Sequence, residues 1–383
     1  MLNRVSIYHN ILWSKYKGVV FTAVHSCSNQ IGIEVSFIQV AETEAQRIAI
    51  GKIDLSYHKY PYRLLFAGSF DSVPIWRRIF ALSRDLIRNP CELVVLPGYE
   101  HIEYWAMLGV CILLRRKRAV FCDSTVYDRP KYLWKEIAKG VFFRGCHGFF
   151  CYGRRSKEYL LSYGVDEKKI KYRVQAAALP PAYDPAKVIG EYRANSFKGS
   201  TSSTFLYVGR LSVEKGLDDL LEAFNEVLAK LPESKLDLVG AGPLKEMLAA
   251  RIKKLGLEQS VKLLGPKNVE EIGRLFMSST ALVLPSHSEP WGLVVNESLS
   301  YGCPVVVSNV CGCVPELVLQ GVTGYSYPVR NVSALAQAML DTSRLSTDRV
   351  AVAQKCMNLI SKYSPSVAAS QILDGCAQIL DGS

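Results

Sequence analysis

Glu289 and Glu297 stand eight positions apart in the stretch 282–307, LVLPSHSEPWGLVVNESLSYGCPVVV. The first lies in a loop rich in Pro and Ser, and the second about one turn into a helix that starts near Gly292. The apolar runs on either side, ALVLPS and CPVVVS, read as buried parallel strands. The unit is therefore strand, loop, helix, strand, and it gathers both carboxylates around a helix N-terminus at the carboxyl end of a strand. Open α/β sheets bind their ligands there. A helix N-terminus attracts phosphate, and acids beside it accept hydrogen bonds from hydroxyls, so the chemistry on offer is recognition of a nucleotide.

Cations of complementary type occur upstream. Gly209, Arg210 and Leu211 end an apolar strand and Lys215 and Gly216 precede a helix, which puts two cations and two glycines in one β/α loop. That loop reaches the carboxyl edge of the same sheet, close to the loop of Glu289. Arg offers a planar fork to phosphate oxygens and Lys a point charge, so the pair could neutralise a diphosphate. Gly240, in Gly-Ala-Gly-Pro, makes a second glycine turn at a strand end, as tight turns before helices do. No Asp-x-Asp occurs in the chain. Mg²⁺ and Mn²⁺ prefer paired carboxylates, so no metal and no other cofactor is expected. Arg210, Lys215 and the helix N-terminus at 292–294 take over the metal's electrostatic work. A helix end contributes about 0.3–2 kcal/mol, which makes the two cations the larger part.

The elements that position these residues alternate throughout. In the first half, strands are expected at 3–9, 33–40, 91–98, 118–124 and 148–153, with helices after Lys17-Gly18 and near 75–88, 102–116, 130–143 and 155–163. The interval between the second strand and the helix at 75 reads as loop-rich. This β/α rhythm predicts an α/β fold with a doubly wound parallel sheet. Residues 176–203, with AAALPPAYDP and NSFKGSTSS, have the composition of a linker. A second β/α series then runs from 204, with Leu217, Leu220, Leu221, Phe224, Leu228 and Leu231 on one helical face. The expected division is 1–180, 181–365 and a terminal helical segment 366–383.

Composition narrows the partners. The chain has 383 residues and a formal net charge of +11, and the positive excess lies in the first half: residues 1–180 hold 27 Lys and Arg against 15 Asp and Glu, residues 181–383 hold 19 against 20. A basic half points to an anionic partner, a membrane surface or a phosphorylated acceptor. YHKYPY at 57–62 mixes aromatics with a cation as single-strand binders do, but no nucleic-acid fold signature follows, and nucleic acid is not an expected partner. The longest apolar run of that half, 105–114, is too short to cross a bilayer. RRKR at 115–118 directly follows it and suits either anionic lipid heads or the dipole of its own helix. Eleven scattered Cys with no CxxC pair fit reduced thiols in a cytoplasm.

GRLSVEKG, LVGAGP, PSHSEPWGLVVNESLSYGCPVVVS and GVTGYSYP together resemble the C-terminal domain of family 4 retaining glycosyltransferases, over roughly residues 203–345. The spacing from Glu289 to Glu297 is that family's Glu-x7-Glu motif. The resemblance implies the GT-B architecture of two Rossmann-like domains facing a cleft, with the final segment crossing back to the first domain. It implies that Arg210 and Lys215 hold the diphosphate of a nucleotide sugar, helped by the amides of Gly292, Leu293 and Val294. By the same resemblance Glu297 binds the ribose hydroxyls and Glu289 the hydroxyls of the transferred sugar. Lys267, after Gly265-Pro266, lies near the base or simply ends a strand.

The first half departs from the family. A glycine pair after the first strand is replaced by Lys17-Gly18, which are left as acceptor-side residues. The His that relatives carry at the end of the strand at 118–124 is replaced by Cys122-Asp123-Ser124-Thr125, with Asp128 close behind on the acceptor side. Asp123 or Ser124 takes the sugar-facing position, or caps a helix. The expected enzyme is a cytoplasmic, metal-independent retaining glycosyltransferase, peripheral to the membrane, acting on a lipid-diphosphate acceptor in bacterial surface polysaccharide assembly. A same-fold nucleotide-sugar epimerase and a catalytically silent sugar-nucleotide-binding subunit are the alternatives.

Overall fold

A computed structural model describes residues 3–28, 32–48, 53–127, 133–194 and 203–382. These residues form two compact units, one from residues 3–126, 133–178 and 364–382 and the other from residues 127 and 179–363.

The first unit is built on β1 (Asn3–Ile11), β2 (Ile33–Thr43), β3 (Tyr62–Ser69), β4 (Leu93–Leu96), β5 (Lys117–Cys122), β6 (Gly148–Cys151) and β7 (Ile170–Tyr172). They pair in parallel in the order β3-β2-β1-β4-β5-β6-β7. Parallel strands need crossovers, and the helices that supply them cover both faces. Helices Ile75–Arg88, Ile102–Leu113, Leu133–Arg144 and Arg154–Ser162 bury Leu82, Leu86, Met107, Phe142 and Leu160 against one face. The other face is closed by Lys15–Ser28 and by the terminal helix Pro365–Asp381, whose Ala368, Ile372, Cys376 and Ile379 lie in the same cluster as Val5, Phe21 and Phe121.

Two features of this unit differ from the sequence expectation. The interval read as loop-rich contains β3, an edge strand that pairs with β2 from Phe37 opposite Tyr62 onward. Its side chains are mostly half-buried, so it lacks the clean alternation that marks a strand in sequence. A three-residue strand, β7, also closes the opposite edge.

One buried ion pair ties two of the helices together. Arg78 Nε lies 3.1 Å from Glu103 Oε1, with both side chains almost fully buried, and Arg78 Nη1 donates to the Phe70 carbonyl at 2.9 Å. Removing one charge strands the other away from water. Glu103→Gln is therefore expected to lower the unfolding free energy by about 3–5 kcal/mol, read from urea unfolding of the full chain.

The second unit is built on β8 (Thr204–Val208), β9 (Lys235–Val239), β10 (Val261–Gly265), β11 (Ala281–Leu284), β12 (Val305–Ser308) and β13 (Gly324–Tyr327), all parallel, in the order β10-β9-β8-β11-β12-β13. Helix Leu217–Leu228 buries Leu217, Leu220, Leu221, Phe224 and Val227. Each such side chain stabilises by about 1.5–3 kcal/mol. Leu228 and Leu231 pack at the margin of the same cluster. The segment expected to be linker holds a helix, Pro185–Ala194, which belongs to this unit. Its Tyr192 hydroxyl donates to the Tyr301 carbonyl at 3.0 Å, an anchor that composition could not disclose.

Candidate functional site

In the second sheet the strand order reverses direction between β8 and β11. Loops leaving those two neighbours diverge to opposite faces and leave a crevice at the carboxyl edge. Arg210, Lys215 and Glu289 come from these two loops. After β8 a 3₁₀ turn, Val213–Lys215, ends at Gly216 in the left-handed region. It delivers Lys215 to the β11 loop, where its Nζ sits 2.5 Å from Glu289 Oε2, with side chains 12% and 17% exposed. The pair is held by other contacts between the loops: the His287 amide donates to the Glu214 carbonyl at 2.8 Å, and His287 Nε2 lies 2.8 Å from Asp219 Oδ2. His287 thus positions the loop by a polar link one helical turn beyond Lys215.

Arg210 is placed differently. Its side chain is 52% exposed, and Nη2 lies 3.3 Å from Glu214 Oε1, which also accepts from Ser212 Oγ at 2.7 Å. The Glu214 carboxyl is held below its usual range: burial raises it, but the Ser212 hydroxyl and the nearby Arg210 and Lys215 charges outweigh that. The Arg210 backbone is fixed from beneath by buried Tyr207, whose hydroxyl donates to the Arg210 carbonyl at 2.7 Å. Tyr207 was not singled out in the sequence; inside an apolar strand its hydroxyl gave no signal.

The glycines at this edge serve backbone packing. A Cβ on Gly240, whose φ is +140°, would stand 1.9 Å from the Gly209 carbonyl oxygen. The two turns are stitched together by Gly209 N to Val239 O at 3.0 Å and Leu211 N to Ala241 O at 2.9 Å. Gly209 itself lies so close to the Tyr207 hydroxyl that a Cβ would be 2.7 Å from it.

Gly292 caps the helix Leu293–Ser300 with φ +99° and ψ +63°, a conformation open to glycine. The amides of Leu293 and Val294 follow in the first turn, where an α-helix leaves its N–H groups without intrahelical acceptors. Glu297 is half-buried on the next turn. The loop is braced from behind by Trp291 Nε1 donating to Asn296 Oδ1 at 2.8 Å, both buried. Lys267 follows edge strand β10, exposed and paired with Glu271 at 3.1 Å. The next residue, Asn268, caps the following helix, forming a capping box with Glu271.

The first unit repeats the reversal, between β1 and β4. Lys17 is buried in the first turn of Lys15–Ser28, with Nζ donating to the Tyr152 hydroxyl at 2.8 Å and lying 4.5 Å from the Phe121 ring centre. Burial, then the Arg173 guanidinium, push the Lys17 ammonium well below its usual value, against the opposite pull of Asp123. Gly18 admits the 57–58 segment: a Cβ would stand 2.8 Å from the Tyr57 carbonyl oxygen. Asp123 is exposed at the end of β5, and Ser124 accepts from the Tyr99 hydroxyl at 2.7 Å. Asp128 lies outside the described residues.

The sequence reading missed Arg173. It follows β7, is 0% exposed, stacks 4.3 Å over Tyr152, and donates from Nη2 to Gln175 at 2.7 Å. Its Nε and Nη1 have no hydrogen-bond partner among the described residues. The signal was a lone Arg inside the run IKYRVQAAAL. Among the described residues no group of three or more His, Cys, Asp and Glu gathers as metal ligands would, and no helix is long and apolar enough to cross a membrane.

Residues 188–356 match the family of glycosyl transferases group 1. Over 134 residues the chain is 37% identical to a glycogen synthase of Mycobacterium tuberculosis, covering 35% of this chain and 32% of that protein. Over 132 residues it is 35% identical to an uncharacterized glycosyltransferase of Methanocaldococcus jannaschii, covering 34% and 33%. The matched part thus spans about one third of these curated relatives. Among solved structures, Anabaena HepE in complex with UDP and glucose aligns with a TM-score of 0.72 at 16% identity, covering 98% of this chain and 100% of that one. A glycosyltransferase from Rickettsia africae aligns with a TM-score of 0.71 at 18% identity, covering 100% and 99%. The two-sheet architecture is the GT-B fold of these proteins.

Proposed function

We propose, from the match of residues 188–356 to the glycosyl transferases group 1, that this chain moves a sugar from a nucleoside-diphosphate sugar to an acceptor with retention at the anomeric carbon. The observation that carries the reading is the Lys215 Nζ to Glu289 Oε2 contact of 2.5 Å at the reversal point of the second sheet. A partly buried ammonium and carboxylate that satisfy each other are poised for exchange. The donor's diphosphate takes over Lys215, and a hydroxyl of the transferred sugar donates to Glu289. Arg210 and the amides of Leu293 and Val294 complete the anion site, and Glu297 accepts from the ribose. Breaking the anomeric bond leaves negative charge on the departing diphosphate, and fixed cations and amides stabilise that charge most where water is excluded. Because Lys215 and Arg210 supply this charge, the proposed reaction needs no metal.

On the acceptor side, Asp123 is the proposed sugar-facing group, since the Ser124 hydroxyl is engaged by Tyr99. The acceptor is proposed to be anionic and carried on a lipid diphosphate at the cytoplasmic side of a membrane. The buried Lys17 and Arg173, two of whose guanidinium nitrogens find no hydrogen-bond partner among the described residues, and eleven cysteines that form no disulfide support this. The UDP bound to HepE makes uridine the first base to try. The experiment is NMR of the sugar product formed from a panel of nucleotide sugars, with and without EDTA. Retained configuration and an EDTA-insensitive rate are expected. Inverted product, or activity restored only by Mg²⁺ or Mn²⁺, would overturn the reading.

A further inference from the structure

Three helices of the first unit, Ile75–Arg88, Ile102–Leu113 and Leu133–Arg144, cover one face of its sheet side by side. The contacts between Trp105 and Phe142, 5.2 Å between ring centres, join the second to the third, and the Arg78 to Glu103 pair joins the first to the second. All three are crossovers of a parallel sheet, so they run the same way and present one outer surface.

That surface is apolar to an unusual degree. On the first helix Trp76 is 70% exposed, and Phe80 and Ile87 are exposed with it. They fall at the spacing i, i+4, i+11, one stripe in which the small, half-buried Ser83 takes the remaining place at i+7. Exposed Arg77, Arg84 and Arg88 form a second stripe about 100° further round. The second helix ends in Leu113, 83% exposed, beside Arg115. The third exposes Trp134, Ile137 and Val141 at i, i+3, i+7, and then Arg144. In the other unit the exposed large apolar residues among the described residues, Tyr127, Val213, Met247 and Leu319, are scattered on separate elements.

Soluble surfaces rarely gather apolar side chains this way unless they meet a partner. We propose that this three-helix face docks on an anionic phospholipid bilayer, with the Trp and aliphatic stripes in the interface and the arginines on lipid phosphates. The charge chooses the partner: the cations flank the apolar stripes, and the half of the chain containing them holds 27 Lys and Arg against 15 Asp and Glu. Amphipathic helices with Trp, Phe and Ile beside Arg insert at the headgroup boundary, and each cation near an anionic surface adds attraction. The inference deepens the reading of a lipid-carried acceptor and rests on it only for its biological purpose.

The test uses the full chain and vesicles containing no acceptor, either equal parts phosphatidylglycerol and phosphatidylcholine or phosphatidylcholine alone, in flotation gradients. Docking is thus read without sugar transfer, and donor turnover is measured separately, so either reading can fail alone. The chain is expected to float with the anionic vesicles and not the neutral ones. A triple variant W76S, F80S and I87S should lower the bound-to-free ratio at least about tenfold, with an unchanged far-ultraviolet circular dichroism spectrum. A second, R77Q, R84Q and R88Q, should do the same and remove most of the salt dependence. A wild-type chain that stays at the bottom of the gradient overturns the proposal, as do variants that float equally well. Self-association through this face, lost in the first variant and without flotation, overturns it in favour of a protein interface.

Discussion

Replacing Lys215 with methionine lowers kcat for sugar transfer by about 10²–10³-fold, with the circular dichroism of the chain unchanged. The size follows from where the ammonium sits. Lys215 is 12% exposed and fixed at the end of a 3₁₀ turn, 2.5 Å from Glu289, so its charge acts at short range with little water to screen it. Arg210 is 52% exposed and already shares a carboxylate with Ser212, so Arg210→Met should cost less, with more of the loss in KM. In Lys215→Met the Glu289 carboxylate loses its cation and repels the incoming diphosphate. Adding Glu289→Gln removes that repulsion. The double variant should therefore fall short of the sum of the two single losses, the signature of groups that act on one another. Near-normal turnover in Lys215→Met would remove the diphosphate from this loop.

Gly312→Ala should damage both stability and activity without touching any proposed ligand contact. A Cβ at Gly312 would stand 1.8 Å from the Pro290 carbonyl oxygen and 2.7 Å from its carbon, both of them backbone atoms. The loop carrying Glu289 must give way. It is held to this segment by Gly312 N to Glu289 O at 2.9 Å and Cys313 N to Trp291 O at 3.1 Å. Forced shifts of this kind typically cost about 1–3 kcal/mol, seen as a lowered thermal midpoint. A displacement of about 1 Å at a positioning loop can cost on the order of 10²-fold in rate. Full activity would mean that the position of Glu289 is unimportant for transfer.

The strands β11 and β12 on either side of the Glu289 loop were legible in sequence because they are buried on both faces. ALVL at β11 and VVV in β12 are continuous apolar runs, every residue of which is buried. The closeness of Lys215 to Glu289 followed from loops of neighbouring strands. Edge strand β3 escaped because it is only half-covered, and the helix Pro185–Ala194 because Pro, Ala and Tyr within a polar stretch look like linker until Tyr192 meets the Tyr301 carbonyl. A glycine in sequence can mean a bare turn or a close approach; at Gly18, Gly209 and Gly240 protein packs into the space a Cβ would take: Tyr57 and His58, the Tyr207 hydroxyl, and the Gly209 carbonyl. A missing side chain has the same spelling in either case. Arg173 was hidden for the opposite reason, since a buried cation is known only from the groups packed around it.

Lys215 is proposed to exchange Glu289 for a donor diphosphate. Isothermal titration of the full chain and of Lys215→Met with a nucleoside diphosphate and the matching monophosphate tests it most directly. The wild type is expected to bind the diphosphate at least about tenfold more tightly, about 1.4 kcal/mol, and Lys215→Met to lose that preference while still binding the monophosphate. Equal preference for the diphosphate in both proteins would contradict the account.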